Sequence, residues 1–431
     1  MTATVRPRAA GRRGAHVTSG PNDGTPSHGG APRRGRAPRG LFLQLLDAGV
    51  TDAAIRLHLD EGTVVAGNAA FDGPEALAIR VHRERFFARA LGGGNLGLGE
   101  AYMDGDWAME RGATWELLAV LLRNRVDHAL RGNWRTAWNV LRVQAANLVR
   151  RRQWRQVQRH YDLGDELFES FLDPTMTYSC GYAVTPDDSI EHLQVQKLDR
   201  ICRKLELTPG QRVLDIGCGF GGLLLHAARH YGVEGVGITT SRRHCERGNA
   251  NVAAAGLAGR VRLELRDHRT IEGPFDKIVS VGMLEHLPRK EYDRYFDRIA
   301  KALGRRGAAL VHVIGCTVAR NTHDPFIQKY VFPGSGQVKL SEIADRCERL
   351  GLAIRDVENQ CRHYAWTSLR WLERFVANRH RLDPKKYDER FHRMWEYYLH
   401  CAIAGGFASD GALWQVLLMK DYAGPMPLQR V

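Results

Sequence analysis

The order of apolar and polar positions divides the chain into two regions of different texture. Residues 41–50 (LFLQLLDAGV) place apolar side chains at helical spacing, and IRLHLDEGTVVAGN alternates on a period of two about Glu61-Gly62, predicting strand, turn, strand. PEALAIRVHRERFFARAL reads as a strand running into a helix, and Gly92-Gly93-Gly94 is expected to break the chain before LGLGEAYMDGDW. Residues 115–160 read as mostly helical. From about residue 195 the texture changes. Short apolar runs (RVLDIGCG, GVEGVGIT, VRLELRD, DKIVSVGM, ALVHVIG, LAIRDVEN and LWQVLLMK) alternate with helical segments such as VQKLDRICRKLEL and LLLHAARHYG. This alternation predicts an α/β fold with an open, doubly wound sheet behind a small α+β N-terminal region.

At 431 residues the chain is long for one ordinary domain, and 44% hydrophobic and 26% charged residues suffice for a buried core. No apolar run approaches the roughly 18–20 residues needed to cross a bilayer, and the basic N-terminus lacks the apolar stretch of a secretory signal. Eight cysteines, at 180, 202, 218, 245, 316, 347, 361 and 401, show no paired spacing. Neither structural zinc nor a disulfide framework is expected, and the pattern reads as that of a reducing cytosol with no metal site.

Charge changes this picture in two places. The formal net charge is +14, yet residues 1–40 hold eight arginines against one acid, Asp23, and residues 123–160 hold ten against one, Asp127. The rest of the chain is slightly acidic. The first segment, rich in Gly, Pro and Arg, reads as a disordered basic tail: a tether to a polyanion or a solubilising extension. In the second, Trp134, Trp138, Leu141, Ala145 and Leu148 recur at helical spacing among Arg131, Arg135, Arg142 and Arg150, a basic amphipathic helix. Such a helix lies on an anionic membrane surface or packs on the main domain with its arginines in water; the pattern leaves both open.

Candidate chemistry begins at Asp215-Ile216-Gly217-Cys218-Gly219-Phe220-Gly221-Gly222, a Gly-rich loop between a strand and a helix. Gly217, Gly219 and Gly222 fit G-x-G-x-x-G, but a nicotinamide cofactor calls for an acid about 20 residues on, and Gly237-Ile238-Thr239-Thr240-Ser241 supplies none. An acid just before the first glycine, Asp215, is similar to the first motif of S-adenosylmethionine (SAM) methyltransferases.

HYDLG (160–164), LDPTMTYSCGY (172–182), VLDIGCGFGG, IVSVGMLEH (278–286), DPFIQKYVFPG (324–334) and ENQCRHY (358–364) make the resemblance specific. In order and at sensible spacing from about residue 96 to 421, they resemble the cyclopropane-fatty-acyl-phospholipid synthase family. The resemblance implies a class I SAM-methyltransferase sheet of seven strands, the last antiparallel. It divides the chain into a tail (1–40), a small lipid-engaging domain (41–115), a basic amphipathic linker (116–160) and a catalytic domain (161–431). It further implies an enzyme that adds a methylene carbon from SAM across a cis double bond of a phospholipid acyl chain. Such an enzyme works from the cytoplasm on an anionic phospholipid surface. A homodimer is possible, and nucleic acid is an option only for the tail.

The family is understood to use bound bicarbonate as base, and the resemblance carries its cage over to Cys180, Glu285, His312, the backbone of Ile314, and Tyr364. The residues read singly leave other roles open: a small buried cysteine, a helix-capping glutamate, a satisfied core histidine, a packing tyrosine. For SAM the resemblance implies Tyr178, Ser179, Asp215, Gly217, Gly219, Thr239, Ser241, Asp267 and His268. His244 stands where the family carries Gln, which puts that contact in doubt. DPFIQKYVFPG is expected to wall the acyl tunnel or to form an insertion loop. Rival acceptors are an amine, against which the anion cage argues, and an acyl chain that ends with a methyl branch or methylene group.

Overall fold

The fold turns on two sheets. A computed structural model of the chain describes residues 37–126, 163–317, 324–408 and 411–420. The basic amphipathic segment and most of the tail lie outside the described residues. Helix α1 (Ala37–Gly49) includes residues 37–40 of the segment assigned to the tail. Arg39 is the reason the helix reaches back: its guanidinium pairs with Glu61 and Glu84.

The first sheet has the order β2-β1-β3-β4. β1 (Ala54–Leu59) and β2 (Gly62–Gly67) form the expected hairpin, β3 (Leu77–Val81) runs parallel to β1, and β4 (Trp107–Arg111) closes the edge antiparallel to β3. Between β3 and β4 lies α2 (Arg85–Met103). The glycines break it as expected: Gly94 leaves helical geometry (φ 53°, ψ −134°), and the segment is two helices meeting at that kink. α3 (Thr114–Arg123) follows. Asp106, fully buried in the turn before β4, ties this region together by accepting from the guanidinium groups of Arg83, Arg85 and Arg89.

After α4 (Asp165–Phe171) and α5 (Ile190–Lys204) the second sheet begins. Its strands are β5 (Arg212–Ile216), β6 (Glu234–Thr239), β7 (Val261–Leu265), β8 (Phe275–Val281), β9 (Leu303–Cys316), β11 (Ala353–Asn359) and β12 (Gly411–Met419), in the order β11-β12-β9-β8-β5-β6-β7. β12 is antiparallel to both neighbours and the remaining pairs are parallel. The seven strands read from sequence are all present. An eighth, the two-residue β10 (Val338–Lys339), pairs with the end of β9 and is too short to leave a periodic signal. Helices α6 (Gly222–Tyr231), α7 (Arg242–Ala254), α8 (Tyr292–Ala302) and α10 (Leu340–Arg349) cover the sheet.

Strand residues alternate between two apolar layers. Leu214, Ile278 and Leu303 join a core with Phe296 and Ile299 of α8, whereas Val213, Val279 and Leu310 join one with Leu224 of α6 and Val252 of α7. Burial on both faces is why these strands read as continuous apolar runs. A third core joins the first sheet to the catalytic helices: Leu57, Ile79, Phe87 and Trp107 pack in one cluster with Trp371 and Phe375 of α11 (Cys361–Asn378) and Trp395 and Tyr397 of α12 (Glu389–Ala408). The short helix α9 (Pro325–Tyr330) completes the contact. Its Lys329 pairs with Glu100 of α2, Tyr330 donates to the same carboxylate at 3.0 Å, and Asn95 donates to Asp324 at 2.9 Å. All described residues fall within the compact unit Arg34–Val431.

Candidate active site

The strand order reverses between β5 and β8, and their carboxyl ends form the crevice where such sheets bind ligands. Asp215 closes β5. The amides of Gly217 and Cys218 both donate to Ile238 O, at 2.9 and 3.1 Å, which draws the loop across β6. Gly217 (φ 80°) and Gly219 (φ 52°) have left-handed backbones that favour glycine, and nothing stands within 4 Å of where a Cβ on Gly219 would be. The loop therefore offers bare backbone and open space beside a buried carboxyl that burial raises to about 7.

The next two strand ends complete this side. Thr239 accepts from Ser241 N at 3.1 Å, and Ser241 caps α7 by accepting from His244 N at 3.3 Å. The His244 ring lies 4.5 Å from Phe220, and burial lowers its pKa. After β7, Asp267 accepts from Arg269, first through its guanidinium and then its amide, and is held at about 2. His268 is buried, and its Nε2 has no hydrogen-bond partner among the described residues. An unpartnered ring nitrogen at one end and an uncovered glycine backbone at the other fit an extended ligand with a heterocyclic end, as SAM is.

The cage residues come from four elements. Glu285 sits in a short turn after β8, its main-chain oxygen accepting from Gly336 N at 2.9 Å, so the segment after α9 holds it. Oε1 accepts from Ile314 N at 3.3 Å, and Oε2 is buried with no hydrogen-bond partner among the described residues. Burial raises the carboxyl to about 7. It caps no helix, because α8 starts only at Tyr292. His312, on β9, faces Gln415 of β12 (Nδ1 to Nε2, 3.3 Å), and its Nε2 has no partner. With Gln415 donating to Nδ1, the ring proton sits on Nε2. Burial, then the positive charges of Lys197 and Lys204, lower its pKa to about 3, so the ring is neutral.

Cys180 is buried, donating to Gly181 O at 3.0 Å, and burial pushes its thiol up. Tyr364, on α11, is raised far above its ordinary value by burial and then by Tyr398, with Cys180 and Glu285 adding to the shift. The structure thus brings Ile314 and Glu285 into direct contact and sets Tyr364 in the field of Cys180 and Glu285. His312 and Cys180 make no hydrogen bond to Glu285 among the described residues. The result is a group of desolvated side chains: a neutral thiol, imidazole and phenol, and a carboxyl that is partly protonated at neutral pH.

Aromatic rings close it. Tyr178 lies 5.2 Å from Trp371, 5.3 Å from Phe168, 5.8 Å from Phe171 and 6.3 Å from Phe332, and its hydroxyl pairs with that of Tyr398 at 2.8 Å. Phe332, from the expected tunnel segment, belongs to this wall, while Phe326 and Tyr330 of the same segment face α2 and α12. Ser179 accepts from Lys197 Nζ at 3.1 Å through its hydroxyl, and from Gln194 at 2.9 Å through its carbonyl. Sequence reasoning missed Lys197, Gln415 and Tyr398. Lys197 and Gln415 carried an available signal, a polar side chain at an otherwise apolar position of its helix or strand. Tyr398 carried none, being one aromatic residue among many.

Comparison with known proteins places this geometry. The profile of the mycolic acid cyclopropane synthetase family matches residues 149–414. The chain is 40% identical over 368 residues to the cyclopropane-fatty-acyl-phospholipid synthase of Escherichia coli (strain K12), covering 84% of this chain and 92% of that protein. It is 33% identical over 416 residues to a tuberculostearic acid methyltransferase of Mycobacterium tuberculosis, covering 90% and 95%. Among solved structures, the cyclopropane synthase MmaA2 from Mycobacterium tuberculosis superposes with a TM-score of 0.57 at 28% identity, over 62% of this chain and 98% of that one. Mycolic acid cyclopropane synthase CmaA1 complexed with SAH and CTAB gives 0.57 at 29%, over the same shares.

Proposed function

The chain belongs to the mycolic acid cyclopropane synthetase family of SAM-dependent methyltransferases, and from that premise we propose that it converts cis double bonds of phospholipid acyl chains into cyclopropane rings. An alkene is a weak nucleophile, so the reaction relies on the electrophilic sulfonium methyl of SAM held in line with it. Methyl transfer leaves a carbocation on the acyl chain, and ring closure requires the new methyl to lose a proton.

The observation that carries this reading is the set of buried groups Cys180, Glu285 and His312 with the partly buried Tyr364, and an aromatic cluster of Tyr178, Trp371 and Phe332 beside Tyr364. Water would trap the cation as an alcohol, and burial of these groups keeps it out. The same rings present π-density to a cation. The bicarbonate reading fits the donor set. Among the described residues His312 Nε2 and Glu285 Oε2 are buried without hydrogen-bond partners, and the Cys180 thiol, the Tyr364 hydroxyl and the His312 ring are held neutral. A bicarbonate held there would supply the base that accepts the proton. Glu285, with its carboxyl near 7, is ready to donate to such an anion, and Tyr398 orients Tyr364 towards the same pocket.

The acceptor is proposed to be presented by an anionic membrane surface, met by the arginine-rich stretches 1–36 and 123–160; no helix among the described residues is long and apolar enough to cross a membrane. The test is expression in a host lacking its own enzyme, fed a cis-monounsaturated fatty acid, with mass spectrometry of the lipids before and after mild hydrogenation. A product one CH₂ heavier that resists hydrogenation and fragments as a ring is expected. A second reading, a methylene chain or, after a separate reduction, a methyl branch, is favoured by the likeness to the tuberculostearic acid methyltransferase, and the same assay separates it. Unchanged lipids would refute both.

A further inference from the structure

Lys197 occupies a position on α5 that its neighbours keep apolar. Ile190, Leu193, Leu198 and Ile201 are core residues of the same helix, and Lys197 itself is 3% exposed. A buried ammonium is costly unless it is paired. Among the described residues the Lys197 Nζ has one hydrogen-bond partner, Ser179 Oγ at 3.1 Å, and no ion pair. Two of its three N–H donors are left over. The same helix shows what a buried structural lysine looks like: Lys204 Nζ meets Asp356 at 2.8 Å and Glu358 at 2.7 Å.

The carboxylates in its field act on Lys197 without a hydrogen bond. Asp173 accepts from the amides of Thr175 (2.9 Å) and Thr177 (3.1 Å), and Asp215 is itself partly neutral at pH 7 because it is buried. The remaining groups in its field are Cys180 and His312. Lys197 therefore donates to Ser179 within the field of Asp173, Asp215, Cys180 and His312, with two donors unused among the described residues. Burial lowers it only to about 8, so it is mostly charged at neutral pH.

We propose that Lys197 is the counter-charge for a carboxylate-type anion bound between the Gly217 loop and Cys180, supplied either by the methionine end of SAM or by the cage's bicarbonate. The assignment rests on the SAM-dependent reading of the site. Cys180, His312 and Tyr364 are held neutral, so a full negative charge arriving there meets its positive partner in Lys197.

Two variants of the full chain test it. Lys197→Gln keeps a donor for Ser179 without the charge, and Lys197→Met removes both at similar length. Calorimetry would compare S-adenosylhomocysteine with 5′-methylthioadenosine, which lacks the carboxylate. Turnover on unsaturated phospholipid vesicles would be titrated with bicarbonate. Both variants are expected to melt no lower than wild type, since an unpaired buried charge has been removed. If SAM supplies the anion, S-adenosylhomocysteine weakens about 10–100-fold while methylthioadenosine is unchanged. If bicarbonate supplies it, nucleoside binding holds and half-saturating bicarbonate rises by about the same factor. No change in either constant in a folded variant would overturn the proposal, as would a large drop in Tm with equal weakening of both nucleosides. Absence of wild-type product on the vesicles would count against the proposed function instead; the nucleoside comparison would then decide Lys197 alone, and equal binding would overturn it.

Discussion

Replacing Glu285 by glutamine changes one atom and removes one titration. Glutamine keeps an oxygen for Ile314 N, which now donates to Oε1 at 3.3 Å, and puts a permanently neutral NH₂ where the partnerless Oε2 stands. Two consequences follow with opposite signs. The first is catalytic: loss of one charge-positioning group in a closed site costs about 10²–10³ in kcat, with S-adenosylhomocysteine binding kept because Glu285 lies beyond the glycine loop. The second is in stability. Burial raises the carboxyl from 4.5 to about 7, worth at most about 3 kcal/mol against the ionised form. Below pH 4.5 both folded and unfolded chains are protonated and nothing is lost. Between 4.5 and 7 the unfolded chain releases its proton while the folded chain keeps it, so wild-type stability declines. Above about 7 the full penalty is present. The variant has no such penalty. It should therefore match wild type near about pH 4 and melt several degrees higher near about pH 8.5. Other titrating groups, Asp215 among them, cancel in the difference. The assay is thermal melting of both proteins across pH, paired with turnover on unsaturated vesicles. Full activity in the variant would remove Glu285 from the site, and a Tm difference that does not grow with pH would refute the buried-carboxyl argument.

Three further outcomes are expected. Tyr364→Phe keeps the ring against Trp371 at 6.1 Å but loses the hydroxyl's hydrogen bond with Tyr398, and should lower kcat about 10–100-fold at a cost of about 1 kcal/mol in stability, with nucleoside binding unchanged; unchanged turnover would return Tyr364 to a packing role. Asp106→Asn leaves three arginines facing a neutral, fully buried amide and should cost about 3 kcal/mol, read as a lowered Tm; a loss under about 1 kcal/mol would show that the cluster is well solvated. Removing residues 1–36, with seven arginines and one acid, should weaken binding to anionic vesicles more at low salt than at high salt; equal losses would argue against a charge-driven tether.

Much of the catalytic fold was legible because its sheet is buried on both faces. The central strands left mostly apolar runs, the edge strands β7 (VRLEL) and β11 (AIRDVEN) apolar residues interleaved with charged ones, and the Gly217–Gly222 loop announced the strand-to-helix turn. The break at Gly92-Gly93-Gly94 was legible too, because glycine alone adopts the backbone of Gly94 (φ 53°, ψ −134°) without strain. That residues 37–40 are helical was not legible, because the ion pairs of Arg39 with Glu61 and Glu84 join residues far apart in sequence. Lys197 went unremarked because its meaning depends on which carboxylates are out of its reach.

The sequence by itself determined the α/β class, the glycine loop, the list of residue types at the crevice and, through its motifs, the family. Those are local properties, set by side-chain period, backbone freedom and the order of short motifs. Only the tertiary structure decided which of those residues share a pocket and in what protonation state. Ile314 meets Glu285 because β9 runs beside β8, and Gln415 meets His312 because β12 lies antiparallel on the other side of β9. Glu285 titrates near 7, and His312 stays neutral, because the packing of distant helices removes water from both. Desolvation is a property of everything around a group, and no short stretch of sequence contains it.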